Sequence, residues 1–359
     1  MVMRPHLWRS AVSGEPLLQT LLSIQYLRGV AALMVVLFHA TNRDWRVGQA
    51  GVDIFFFISG FIMWTTTVAP RSITPQKFLT RRLIRIVPLY WAITLFTAWI
   101  ALTPKFRIAF DFNPEWLLRS LLFLPSAGVS DGHVHQPATF PVLPVGWTLN
   151  LEMFFYIIFT IALFLPEARR LLTIVILVSA PVVAGWVFRD GISENAAFYG
   201  SPLMLEFAGG VVIGAIYSGA RVSKGVLGAA GVLGLILIAF LIAEHPPVGF
   251  SRIFRYGLPA AALIAGAVVI EPLLQKRPIT LLKILGDASY SIYLAHIPAM
   301  ALVRKLIGVS NRTAPPWSTA LFITLAAALL CVGLYYAFER PLGAAIRRVL
   351  GLSRHKPAP

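Results

Sequence analysis

Ser23-Ile-Gln-Tyr-Leu-Arg-Gly-Val-Ala-Ala-Leu-Met-Val-Val-Leu-Phe-His-Ala40 is apolar enough to cross a membrane, yet it carries Arg28 and His39. At about 100° per residue, eleven positions bring these two within roughly 20° of one helical face. At about 1.5 Å per residue they stand roughly 16 Å apart, half the thickness of a bilayer core. A charge near the centre of such a helix costs on the order of 3 kcal/mol, so one that persists faces a polar cavity. One face thus offers a permanent cation and, three turns further on, a group that exchanges a proton near neutral pH. The bland alternative is that Arg28 snorkels to the surface while His39 merely closes the far end.

The rest of the chain has the same character. Of its 359 residues, 57% are hydrophobic and only 13% charged. Soluble domains carry about twice that share of charge. The composition predicts an all-α, polytopic integral membrane helical bundle. About ten transmembrane helices are expected, near residues 22–41, 51–68, 83–102, 147–165, 170–188, 199–219, 226–243, 254–271, 286–306 and 317–338. A cytoplasmic segment over 1–21 precedes a transmembrane domain over 22–342, and a basic cytoplasmic tail follows over 343–359. With ten spans both ends lie on one side, and lysine plus arginine divide 19 to 11 in favour of that side, apart from Arg28. The positive-inside rule then puts both termini in the cytoplasm.

The net charge of +16 is explained by such loops and by anionic lipid. No basic stripe interleaved with aromatics points to nucleic acid. The single cysteine, Cys331, sits in an apolar run and excludes a disulfide framework or thiolate metal site. No short apolar core with a small-residue cleavage site follows Arg4 and Arg9, so the first span is expected to be retained. Glycines at 225, 228, 231 and 234, with the pair Gly210 and Gly214, read as close helix packing.

Several further stretches carry chemistry. Phe78-Leu-Thr-Arg-Arg-Leu-Ile-Arg-Ile-Val-Pro-Leu-Tyr90 opens the third span, with Arg82 and Arg85 one turn apart and able to grip a single anion. Taken alone it also reads as a positive-inside anchor. Glu152, in Gly146-Trp-Thr-Leu-Asn-Leu-Glu-Met-Phe-Phe-Tyr156, needs a cavity or a distant cation. Asp53, in Gly51-Val-Asp-Ile-Phe-Phe-Phe-Ile-Ser-Gly-Phe61, lies at the depth of His39 and either orients its imidazole or caps its own helix. Glu206 is a weaker candidate of the same kind. Gly286-Asp-Ala-Ser-Tyr-Ser-Ile-Tyr-Leu-Ala-His296 puts Ser289, Tyr290 and Tyr293 on one helix with His296. The long connection near 103–146 contains Pro114-Glu-Trp-Leu-Leu-Arg-Ser-Leu-Leu-Phe-Leu124 and has the length of a lid or binding segment. Its His133 and His135 find no third ligand nearby, so no metal is expected.

In order along the chain, these stretches resemble the acyltransferase family 3 proteins, membrane enzymes that O-acylate bacterial surface glycans. The resemblance rests on Arg28 with His39, Gly51-Val-Asp…Phe-Ile-Ser-Gly60 and Arg82-x-x-Arg85…Pro88-x-Tyr90. It extends through Trp147-Thr-Leu…Glu152…Tyr156 and Tyr290-Ser-Ile-Tyr-Leu-Ala-His296 to Glu339-Arg-Pro341. The opening Ile24-Gln-Tyr-Leu-Arg-Gly-Val-Ala-Ala-Leu33 looks most like exopolysaccharide acetylases of the ExoZ type. The resemblance implies acetyl-CoA or another short acyl-CoA as donor and a hydroxyl of an exopolysaccharide, O-antigen or lipid-linked sugar as acceptor. It also implies the bacterial inner membrane as location and polysaccharide assembly proteins as partners. Some relatives carry a fused hydrolase-like domain; with 359 residues this chain is expected to transfer directly or hand over to a separate protein. On this reading Arg28, Arg82, Arg85, Tyr293 and His296 bind the donor. His39 is base or acyl carrier, with Asp53 or Glu152 steering it. The competing reading is a transporter or flippase for a lipid-linked glycan, against which no inverted repeat is visible.

Overall fold

The computed structural model describes residues 21–68, 73–102, 114–125, 140–188, 191, 193–219, 250–310 and 313–352, and among these it contains helices and no strand. We label the main helices α1 (Leu22–Ala40), α2 (Ala50–Thr65), α3 (Pro75–Leu102), α4 (Pro114–Leu121), α5 (Trp147–Ala162), α6 (Glu167–Val187), α7 (Glu194–Tyr199) and α8 (Met204–Gly219). They are followed by α9 (Leu258–Lys276), α10 (Thr280–Asp287), α11 (Ser289–Leu306), α12 (Trp317–Leu334) and α13 (Arg340–Val349). A π-helical turn, Ile253–Gly257, leads into α9, and another, Tyr335–Glu339, joins α12 to α13.

Eight helical stretches among the described residues are long and apolar enough to cross a membrane, and they coincide with eight of the ten expected spans. The span expected over 226–243 lies outside the described residues, as do the glycines at 225, 228, 231 and 234. The span expected over 286–306 is α11, whose polar cargo (Tyr290, Tyr293, His296, Arg304) lowers its hydropathy below that of the others. The segment 1–20, His133 with His135, and 353–359 also lie outside the described residues. The expected boundary at 342/343 falls inside α13.

α1 is the central element, packed against α2, α9, α10, α11 and α12. Its first turn is anchored by Glu271 of α9, whose carboxylate accepts from Leu22 N at 2.8 Å and Ser23 N at 2.7 Å. A carboxylate at that end satisfies otherwise orphaned amides and complements the helix dipole. Glu271 therefore sets the depth at which Arg28 and His39 enter the bundle.

α2 and α8 cross at backbone contact because both present glycine there. A Cβ on Gly60 would lie 2.0 Å from Phe207 O, and one on Gly210 2.1 Å from Phe57 O. Phe207 is then sandwiched between Phe56 of α2, at 4.4 Å, and Phe155 of α5, at 4.6 Å. Gly60→Val is expected to lower the melting temperature in detergent by about 5–10 °C, because overpacking without room to shift costs roughly 1–3 kcal/mol or more. Gly219→Ala, at the far end of α8 and facing open space, is the neutral control. Equal melting of the two would refute this account of the crossing.

Outward-facing side chains such as Trp99, Leu172, Val183 and Leu329 are exposed and apolar, as a lipid-facing surface requires. Cys331 is free and buried, in a packing position. α4 docks on α3 through Tyr90 OH to Ser120 O (3.0 Å) and Trp91 Nε1 to Leu121 O (2.8 Å).

Candidate active site

α1, α2, α3, α5 and α11 enclose a cavity of about 70 Å³ inside the bundle. Its wall brings together Arg28, Arg82, Arg85, Glu152, Tyr156 and Ser59, with apolar residues of α2 between them. Arg28 is 9% exposed and donates from Nη1 to Gln25 Oε1 at 3.1 Å; Gln25 in turn bonds Asp287. It is held inward and does not snorkel. Arg82 and Arg85 reach the same cavity because they lie three apart on α3. Arg82 packs over the Phe78 ring at 5.5 Å and has no hydrogen-bond partner on its buried Nε among the described residues. Glu152 accepts from Ser59 Oγ at 2.5 Å and Tyr156 OH at 2.6 Å. Three guanidinium groups facing one carboxylate leave this wall net positive, a setting suited to an anion.

A larger cleft of about 750 Å³ adjoins the cavity, and Arg28 and Arg85 line both. Arg81, Arg340, Arg347 and Arg348 complete its basic lining, against the carboxylates of Asp287 and Glu339. Glu339 accepts from Ser291 Oγ at 2.5 Å. The two hollows together form a funnel: a wide basic mouth narrowing at Arg28 and Arg85 into a small charged chamber. From the sequence, Arg347 and Arg348 read only as part of a basic tail, because their convergence with α3 is tertiary.

At the C-terminal end of α1 stand His39 and His296, with ring centroids 4.9 Å apart. His39 Nδ1 lies 2.9 Å from Val35 O and 3.3 Å from His296 Nε2. His296 Nδ1 lies 2.7 Å from Tyr293 O. A carbonyl accepts only, so both rings carry their proton on Nδ1, and His296 Nε2 is the acceptor toward His39. In the neutral ring His39 Nε2, which has no hydrogen-bond partner among the described residues, then has the lone pair that a base or nucleophile needs. His296 is fully buried, whereas His39 is only partly so. Tyr293 stands between chamber and histidines: it lines the cavity, bonds Thr148 Oγ1 at 2.8 Å, and its ring is 6.1 Å from that of His296.

The structure thus gathers Arg28, Arg82, Arg85, Glu152 and Tyr293 around one chamber and pairs His39 with His296. It does not bring either expected carboxylate into hydrogen bond with His39. Glu152 is committed to Ser59 and Tyr156 among the arginines. Asp53, wholly buried, is gripped by Arg252 through Nη2 at 2.6 Å and Nε at 3.1 Å, and Arg252 also donates to Gln49. Glu206, also wholly buried, lies beside Asp53 in this cluster. The place beside His39 Nδ1 that sequence reasoning gave to an acid is occupied by His296. Arg252 was missed; a buried Asp53 without an in-helix partner was the one sign that some distant cation must answer it. Among the described residues no group of three or more His, Cys, Asp and Glu is placed to hold a metal ion.

Residues 21–336 match a family model described as an acyltransferase domain. The chain is 37% identical over 338 residues to the exopolysaccharide production protein ExoZ of Rhizobium meliloti, covering 89% of this chain and 98% of that protein. It is 24% identical over 317 residues to the O-acetyltransferase OatA of Staphylococcus aureus, covering 78% of this chain and 50% of that longer protein. No solved structure matches it significantly.

Proposed function

The chain belongs to the acyltransferase-domain family, and from that premise we propose that it moves an acetyl or similarly short acyl group from acyl-CoA to a hydroxyl of a surface polysaccharide or its lipid-linked precursor. Membership of an enzyme family sets the transporter reading aside. The observation that carries the finer proposal is the arginine-lined funnel that narrows toward the chamber beside the histidine pair.

Coenzyme A has a pyrophosphate and a 3′-phosphate at one end and a slender pantetheine arm at the other. Guanidinium groups bind phosphate oxygens through paired, charge-assisted hydrogen bonds, and the wide mouth supplies Arg81, Arg340, Arg347 and Arg348 for this purpose. The arm then follows Arg28 and Arg85 into the chamber, whose small volume suits a short acyl group. A turn of Tyr293 opens the way to His39. There the acceptor oxygen attacks the thioester carbonyl carbon as His39 Nε2 takes its proton. The carbon–sulfur bond breaks, and the proton passes to the departing thiolate. If His39 instead carries the acyl group briefly, Nε2 bonds the carbonyl carbon as the carbon–sulfur bond breaks and the thiolate leaves. The acceptor oxygen then bonds that carbon, the carbon–nitrogen bond breaks, and the hydroxyl proton passes by way of the freed Nε2 to the thiolate. In either case His296 fixes the tautomer that leaves Nε2 available.

The lysine and arginine bias supports a basic mouth and both termini on the cytoplasmic side of a bacterial inner membrane, where acyl-CoA is made. ExoZ, by its name, acts in exopolysaccharide production, which supports a polysaccharide acceptor made by an associated assembly system. The direct test has two parts. Membrane vesicles containing the protein should release free thiol from acetyl-CoA in step with glycan acetylation. Deleting the gene should remove acetate esters from the surface polysaccharide. Unchanged ester content with altered polymer amount would defeat the proposal.

A further inference from the structure

Arg304, two turns beyond His296 on α11, is 3% exposed and makes no ion pair among the described residues. Its hydrogen bonds all end on neutral acceptors. Nη2 donates to Ala40 O at 2.6 Å and Asn42 Oδ1 at 3.2 Å, and Nη1 donates to Ser310 O at 2.7 Å. Ala40 is the last residue of α1, immediately after His39.

The carbonyls around it are answered locally. Leu37 O accepts from Thr41 N, Phe38 O from Arg43 N and His39 O from Asn42 N. Ala40 O is instead met by a guanidinium from another helix. A buried cation at this point complements the negative end of the α1 dipole and satisfies a terminal carbonyl that water cannot reach. The turn it holds is strained: Asn42 and Arg43 have φ of 51° and 72°, the left-handed region that residues with a Cβ seldom adopt. Asn42 is also the residue whose side chain Arg304 grips. α11 therefore touches the end of α1 twice, through His296 on the His39 ring and through Arg304 on the backbone that carries it.

We propose that Arg304 is a positioning residue for His39, fixing the terminal turn of α1 so that Nε2 meets the reacting carbonyl. This rests on the assignment of His39 as base or acyl carrier. The donor-binding arginines line a different part of the molecule and do not include Arg304, so its loss should disturb turnover and leave donor affinity alone.

The test uses membrane vesicles holding the full chain and its endogenous glycan acceptor, supplied with radiolabelled acetyl-CoA. Arg304→Met is expected to lower kcat about 30-fold, a loss in keeping with misplacement by a fraction of an ångström. The KM for acetyl-CoA should stay within about twofold. Arg304→Lys, whose ammonium reaches one carbonyl only, should recover part of the loss and remain about fivefold below wild type in kcat. A raised KM at unchanged kcat would overturn the positioning role. If Arg304→Met fails to accumulate in the membrane, Arg304→Lys decides: reduced kcat at normal KM supports the role, and wild-type kcat overturns it. His39→Ala measured alongside separates the two levels. Wild-type transfer there defeats the assignment of His39 and the positioning role with it. An inactive His39→Ala beside an unimpaired Arg304→Met defeats the positioning role alone.

Discussion

His39→Ala is expected to abolish acyl transfer, lowering the rate by about 10³- to 10⁴-fold while the protein still folds and inserts. A positioned base typically contributes about 10²–10⁴, and a group that also carries the acyl intermediate contributes more. The folding expectation follows from the local structure. The His39 ring is only partly buried, and its bonds go to Val35 O within its own helix and to the neighbouring His296. The carboxylate clamp at Leu22 and the guanidinium at Ala40 hold α1 from both ends without it. Acetate ester content of the surface polysaccharide and thiol release in vesicles are the two readouts, normalised to the amount of inserted protein. Residual transfer within tenfold of wild type would remove His39 from the chemistry.

The sequence disclosed the axis of this site and concealed its partners. Arg28 and His39 share a face by helix geometry alone, and Arg82 with Arg85 converge for the same reason, so both pairs were legible. Counting along the spans also put Asp53 near His39 in depth. Depth says nothing about azimuth, however. Asp53 turns toward Arg252, 199 residues away, while the side of His39 where an acid was expected faces His296, 257 residues away. Such meetings are decided by how helices cross, as at the Gly60–Phe207 contact between α2 and α8, and no local periodicity encodes them. The sequence put Tyr293 and His296 together on α11 and assigned both to the donor. In the fold that helix supplies Tyr293 to the chamber wall and His296 and Arg304 to the end of α1. Arg347 and Arg348 read as part of a basic tail, and with Arg340 they line the basic cleft.

Arg85 stands where the cleft narrows into the chamber, one of two residues with Arg28 that line both. Arg85→Ala should therefore act on donor use more than any arginine of the mouth does, because neighbouring guanidiniums there can share a phosphate. Loss of one charge-assisted, paired contact is worth about 2–3 kcal/mol, so kcat/KM for acetyl-CoA should fall about 100-fold. Most of that fall should be in KM if Arg85 holds the donor equally before and during transfer, with a fall in kcat if it also steers the thioester toward Tyr293 and His39. Arg85→Lys should recover little, since an ammonium lacks the planar fork. Raising ionic strength should weaken the wild type through the exposed mouth while changing the Arg85→Ala ratio less, because a partly buried pair at the constriction is screened less than pairs at the mouth. A kcat/KM within threefold of wild type in Arg85→Ala, or full function in Arg85→Lys, would mean that the donor does not pass this constriction.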